Sequence, residues 1–138
     1  MNEKPSIFLL VEDNEDDAFF MQRALQDAAL QNPLHIVTNG EDAINYMAGN
    51  EGFGDRQKFP LPDMIFLDLK MPGINGFEVL AWIRQDRKLT LPVAVLTSSP
   101  EEIDYKRVRE LGADCYLLKP PTASMLRTCS QQFGLRCL

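Results

Sequence analysis

Histidine is almost missing from this chain. His35 is the single one in 138 residues, flanked by apolar Leu34 and Ile36, and with no serine or cysteine motif to accompany it the residue reads as structural or surface rather than catalytic. Cysteine is scarce too: Cys115, Cys129 and Cys137 are odd in number and show no C-x-x-C spacing, which speaks against a disulfide framework or a zinc site and for reduced thiols in a cytosol. Basic residues are outnumbered, 14 against 20 acids, and a net charge of −6 argues against nucleic acid or an anionic membrane as the main partner. Long hydrophobic runs are lacking. The first apolar stretch, Ile7 to Val11, is far too short for a signal sequence or a membrane span, so a cytoplasmic protein is expected.

What the chain does have is a repeated alternation. Strand-length apolar runs occur at Ile7–Val11, Leu34–Thr38, Met64–Leu67, Val93–Leu96 and Tyr116–Leu118. Helical stretches lie between and after them: Asp16–Gln31, with Phe19, Phe20, Ala24, Leu25 and Ala28 at helical spacing; then Glu41–Ala48, Gly76–Gln85, Pro100–Leu111 and Ala123–Phe133. Five β-α units in a chain of one-domain length predict an α/β fold, a five-stranded parallel sheet covered by helices on both faces. Gly49 to Pro62 is a long Gly/Pro/charged connection that reads equally as a disordered insertion or as a partner-contacting loop.

Parallel β-α units bring all strand carboxyl ends to one edge. Strand one ends in Glu12-Asp13, strand three in Asp68, strand four in Thr97-Ser98-Ser99 and strand five in Lys119-Pro120. Asp68 follows four apolar residues and precedes a Pro72-Gly73 turn, so a carboxylate exposed at the sheet edge is expected there. Helix capping accounts for the acids from Asn14 to Asp17 but not for Asp68, Thr97 and Lys119 meeting on the same edge. An EF-hand reading of Asp13-x-Glu15-x-Asp17 fails, because Ala18 and Ala24 stand where glycine and the last acid are required. Glu12, Asp13 and Asp68 in one cleft would repel each other unless a hard divalent cation joined them, and oxygen-only ligands that leave room for water and phosphate suit Mg²⁺. Thr97 and Lys119 then offer a hydroxyl and a positive charge to phosphoryl oxygens, with backbone amides supplying the rest. The chemistry this predicts is attack of a carboxylate on phosphorus.

Val11-Glu12-Asp13, Asp68-x-x-Met71-Pro72-Gly73-x-x-Gly76, Thr97-Ser98 and Lys119-Pro120 together resemble the CheY-like receiver domains of two-component response regulators, over essentially the whole chain. The resemblance implies a doubly wound, flavodoxin-like (βα)5 fold with strand order 2-1-3-4-5, and one receiver domain over residues 1–138 with no output domain. It implies Asp68 as phosphoacceptor from a sensor histidine kinase. Mg²⁺ would be held by Asp13, Asp68, the Lys70 backbone carbonyl and, through water, Glu12. Thr97 and Tyr116 would be the switch pair, with Lys119 and the Ser98 amide on the phosphoryl group and a cis Lys119–Pro120 bond. Lys70 and Ser99 fall at positions that tune phosphoryl lifetime.

The Leu-Val-Glu-Asp-Asn opening, the long third-strand approach and the Leu-Asp-Leu-x-Met-Pro run look like the stand-alone regulators paired with bacterial phytochromes. Output would then be a protein contact made by the fourth helix, fifth strand and fifth helix. Phe133, Leu135 and Leu138 would serve a homodimer contact or be buried on their own sheet. Three other readings stand beside this one. A phosphorelay intermediate would pass its phosphate to a histidine phosphotransfer protein. A receiver-like interaction module would work without phosphate. A haloacid-dehalogenase-type phosphohydrolase would want a second aspartate where Lys70 stands. On the receiver reading the chain catalyses only its own phosphorylation and dephosphorylation, and is otherwise not an enzyme.

Overall fold

The computed structural model describes residues 5–98 and 102–133. Five strands, β1 (Phe8–Val11), β2 (Leu34–Val37), β3 (Met64–Asp68), β4 (Val93–Thr97) and β5 (Cys115–Leu118), form one parallel sheet ordered β2-β1-β3-β4-β5. The helices are α1 (Glu15–Asp27), α2 (Gly40–Ala48), α3 (Gly76–Ala81), α4 (Glu102–Glu110) and α5 (Ala123–Gln132).

The two faces of the sheet explain the unbroken apolar runs. Alternate residues Leu9, Val11, Ile65, Leu67, Val93 and Val95 bury against Tyr46, Met47, Phe77, Leu80, Ile83 and Val108 of the α2–α4 side. Their neighbours Phe8, Leu10, Met64, Phe66, Ala94 and Leu96 bury against Met21, Ala24 and Leu25 of α1 and Leu126 and Cys129 of α5. Every strand-three position is buried, as a central parallel strand requires.

Several details differ from the sequence expectation, most of them in α1 and α3. Helix α1 starts one residue earlier than predicted, capped by the Asn14 side chain, which accepts from the Asp17 amide. It also ends at Asp27 rather than Gln31, because Ala29 turns into the left-handed region (φ 59) and the Leu30 amide reaches back to the Leu25 carbonyl at 2.9 Å. Phe19 and Phe20 are 55% and 50% exposed, so the buried stripe runs through Met21, Ala24, Leu25 and Ala28 instead. Finally, α3 widens into a π-helical turn over Trp82–Asp86.

That turn presents Arg84, whose guanidinium donates to the carbonyls of Gly112 (2.9 Å), Leu89 (2.7 Å) and Leu91 (2.8 Å) and to Asp114 (2.9 Å). Asp114 also accepts from the Val93 amide at 2.9 Å, and Asp63 accepts from the Ile7 amide at 2.7 Å. These polar ties all lie at the amino-terminal ends of strands.

The Gly49–Pro62 connection is packed, which corrects the disordered-insertion reading. Arg56 donates to the carbonyls of Tyr46 (2.8 Å) and Met47 (3.1 Å) at the end of α2, and to that of Phe59 (3.1 Å). The Tyr46 hydroxyl donates to the Pro60 carbonyl at 2.8 Å, and the rings of Phe53 and Phe59 pack on Tyr46. A cation on a helix carboxyl terminus meets carbonyls that lack partners within the helix, and the aromatic cluster supplies the apolar anchor. His35 on β2 stands beside the same Tyr46 ring.

Candidate functional site

The carboxyl ends of β1, β3, β4 and β5 bring the four sequence motifs together. Glu12 follows β1 directly and is 2% exposed; Asp68 is the last residue of β3 and is 5% exposed. Asp68 therefore departs from the expectation of an exposed edge acid: it reaches the edge but is walled in. The following turn folds back onto the backbone at the end of β3. The Gly76 amide donates to the Leu69 carbonyl at 2.9 Å, and a Cβ at Gly76 would collide with the Asp68 carbonyl oxygen and Leu69 Cα. Only glycine permits so close a pass.

Lys119, after β5, lies across these acids. Its ammonium is 2.6 Å from Glu12 Oε1, 3.2 Å from Asp68 Oδ1 and 3.0 Å from Asp17 Oδ2. The Lys119 amide donates to the Thr97 carbonyl at 2.8 Å, and the Lys119–Pro120 bond is cis. Thr97 closes β4 and is buried; Ser98 follows it, exposed. Asp17 is the member of the site that sequence reasoning assigned to helix capping alone. Its signal was present, since it sits in the first turn of α1 just beyond the Glu12-Asp13 pair, but only the fold shows that a lysine 102 residues away reaches it.

Carboxylate oxygens of Glu12, Asp13 and Asp68 lie within 4.8 Å of one another. Burial pushes Glu12 from an ordinary 4.5 up to about 7, with the Asp68 charge adding to the rise and Lys119 opposing it. Burial likewise raises Asp68, against the pull of Lys119. For Lys119 burial disfavours the ammonium, but Glu12, Asp17 and Asp68 outweigh it and keep the charge. Three acids thus share one resident cation, and two of them are held above their usual range. A hard-oxygen cluster with that surplus of negative charge fits a divalent cation.

A pH consequence follows for the metal-free chain. The folded state keeps a proton on Glu12 that the unfolded chain releases, so the stability this group contributes is full below about pH 4.5 and is lost as pH rises to about 7. The loss should amount to about 3 kcal/mol at most. Urea titrations from about pH 5 to about pH 8 should show it, and Glu12→Gln should flatten the slope.

The remaining expected positions are spread around this centre. Lys70 is exposed and its ammonium pairs with Asp104 of α4 at 3.4 Å. Tyr116 is half-buried on β5, beside Val95 in register, and its ring meets Tyr105 of α4 edge-on at 5.3 Å. Ser99 lies outside the described residues. So do Leu135 and Leu138, whereas Phe133 packs against the α1–α5 side of the core. Among the described residues, no helix is long and apolar enough to cross a membrane.

Comparison with known proteins bears on the family and the fold. The response regulator Rcp1 of Synechocystis is 37% identical over 116 residues, covering 83% of this chain and 77% of its own length. The probable methanogenesis regulatory protein FilR2 of Methanothrix harundinacea is 36% identical over 119 residues, covering 86% and 74%. Among solved structures, the bacteriophytochrome response regulator AtBRR superposes with a TM-score of 0.84 at 31% identity, covering 99% of this chain and 97% of its own. The phosphorylated cyanobacterial phytochrome response regulator RcpA gives 0.79 at 30% identity, covering 94% of each chain. The Mn²⁺-bound form of Rcp1 gives 0.77 at 32% identity, covering 95% of each. Residues 8–130 match the response regulator receiver domain, and the chain belongs to that family, with phytochrome-associated response regulators among its neighbours.

Proposed function

We propose that this chain is a response regulator that takes a phosphoryl group from the phosphohistidine of a sensor kinase onto Asp68, in a Mg²⁺-dependent step, and thereby alters a protein-binding face built from α4, β5 and α5. The observation that carries this reading is the placement of Lys119 across Glu12, Asp17 and Asp68 at 2.6–3.2 Å, with Thr97 backbone-linked to the same lysine. An Asp68 carboxylate oxygen attacks phosphorus while the bond to the donor nitrogen breaks. Lys119 trades a carboxylate partner for a phosphoryl oxygen, and the Thr97 hydroxyl and Ser98 amide donate to the others. The cation that Glu12, Asp13, Asp68 and the Lys70 carbonyl would hold supplies neutralisation of the incoming charge.

The cation is Mg²⁺ on this reading because the donors are few and all oxygen; Rcp1 has been solved with Mn²⁺ in place, and RcpA in a phosphorylated form. A phytochrome-like kinase is the partner favoured by the AtBRR, RcpA and Rcp1 likenesses. Incubation with Mg²⁺ and acetyl phosphate or beryllofluoride should give one stoichiometric adduct per chain, read by intact mass for the phosphate and by fluorine resonance for beryllofluoride. No adduct at all, or an adduct on a residue other than Asp68, would refute the assignment.

Lys70 tunes the lifetime of that adduct. Its pairing with Asp104 holds the ammonium toward α4, and a dianionic phosphoryl group on Asp68 offers it a competing partner. Decay of the acyl phosphate should change severalfold in Lys70→Asn, and equal half-lives would remove this role.

A further inference from the structure

Cys115 opens β5 and Cys129 lies on α5, and the fold sets their sulfurs 3.0 Å apart, with the Cys129 thiol donating to Cys115 Sγ. Both thiols are free. We propose that Cys115 and Cys129 form an oxidisable thiol pair that closes to an intramolecular disulfide, stapling α5 to β5.

Geometry carries the proposal. A disulfide needs sulfurs at about 2.05 Å, so closure from 3.0 Å requires an approach of only about 1 Å. The pair is also differentiated. Cys115 is half-buried, whereas Cys129 is 2% exposed. A surface pocket of about 230 Å³ is lined by both cysteines together with Leu117, Met125, Thr128 and Gln132, so a small oxidant has a route to the pair. The hydrogen bond from Cys129 lowers the Cys115 thiol's pKa, against burial and the Asp114 charge, and the same contact holds the Cys129 proton in place. Cys115, the more exposed of the two, is the attacking thiolate and Cys129 the resolving thiol.

With a hydroperoxide as oxidant the steps balance. The Cys115 thiolate attacks the terminal peroxide oxygen; the O–O bond breaks, an alcohol (or water, from hydrogen peroxide) leaves with one proton, and Cys115 becomes a sulfenic acid. Cys129 sulfur then attacks the Cys115 sulfur and expels water, which carries away the Cys129 proton. Two thiols are oxidised by two electrons and one peroxide is reduced. None of Glu12, Asp13 or Asp68 takes part, so the proposal stands or falls separately from phosphorylation.

The test is brief exposure of the full chain to equimolar hydrogen peroxide, alkylation of the remaining thiols and tryptic mass spectrometry. Arg127 separates the two cysteines into different peptides, and Arg136 separates Cys129 from Cys137. Denatured thiol content should fall from three to one, with a single crosslink between the Cys115 and Cys129 peptides that dithiothreitol reverses. Cys137→Ser should retain the crosslink and Asp68→Asn should form it as readily. Three thiols remaining, a link through Cys137 or between chains, or sulfinic acid at Cys115 without a crosslink would each overturn the proposal. Because the crosslink is read in the unaltered chain, poor folding of Cys115→Ser would not rescue a negative result.

Discussion

Asp68→Asn should abolish the adduct with acetyl phosphate or beryllofluoride while leaving the metal-free fold at least as stable as before. The two effects have one cause. Asp68 is 5% exposed among Glu12, Asp13 and Lys119, and burial raises its pKa even with Lys119 adjacent. An amide of the same shape keeps the packing, loses the nucleophilic oxygen and removes one buried charge from a cluster that carries too many. Stability to urea should rise by about 1 kcal/mol without metal, and the rise should shrink when Mg²⁺ is added, because the wild type then gains from the cation and the variant gains less. An adduct surviving in Asp68→Asn would place the phosphoryl group on another residue.

Lys119→Met should produce the reverse pattern in the apo chain. The ammonium is the single cation within reach of Glu12, Asp17 and Asp68 among the described residues, and its side chain is 12% exposed. Removing it leaves two buried carboxylates facing each other, a change of the kind that costs about 3–5 kcal/mol. Glu12 has an escape, since its pKa already stands at about 7 and would rise further without its lysine. Near pH 6 it takes up a proton and softens the loss; near pH 8 doing so costs more. The destabilisation should therefore grow with pH, and Mg²⁺ should recover part of it. Phosphorylation by acetyl phosphate should also slow by at least tenfold, because a positive charge on the phosphoryl oxygens is lost. A pH-independent stability loss would mean that the lysine acts through packing alone.

How much of this could be read without coordinates depends on the kind of interaction. Strand ends were legible because parallel β-α units impose a rule: Glu12, Asp68, Thr97 and Lys119 each follow an apolar run, and the fold places every such end on one edge. What escaped is set by rotation and distance. Helical phase on α1 admits either the Phe19–Phe20 side or the Met21–Leu25 side, and only packing against the sheet chooses the second. The contact between Cys115 and Cys129 spans a strand, a turn and a helix, so spacing carries no sign of it. Arg56 looked like one charge in a charged loop, yet it caps a helix. Asp68 is legible as a strand-end acid but not as a buried one, because the groups beside its carboxylate come from the ends of other strands.

The Arg84 clamp gives the domain a gradient of permanence. At the amino ends of β4 and β5, and at the entries to β1 and β3, directional hydrogen bonds donated by Arg84 and accepted by Asp114 and Asp63 join backbone to side chain, and none of these groups belongs to the cluster around Lys119. At the opposite ends the strands are joined through Lys119 and the acids, contacts that on the proposed function a cation or a phosphoryl group would exchange. On the proposed function the sheet would work as a fixed hilt with a rewritable tip: the chemistry would change the distances among its own groups, and each return would begin from the same frame.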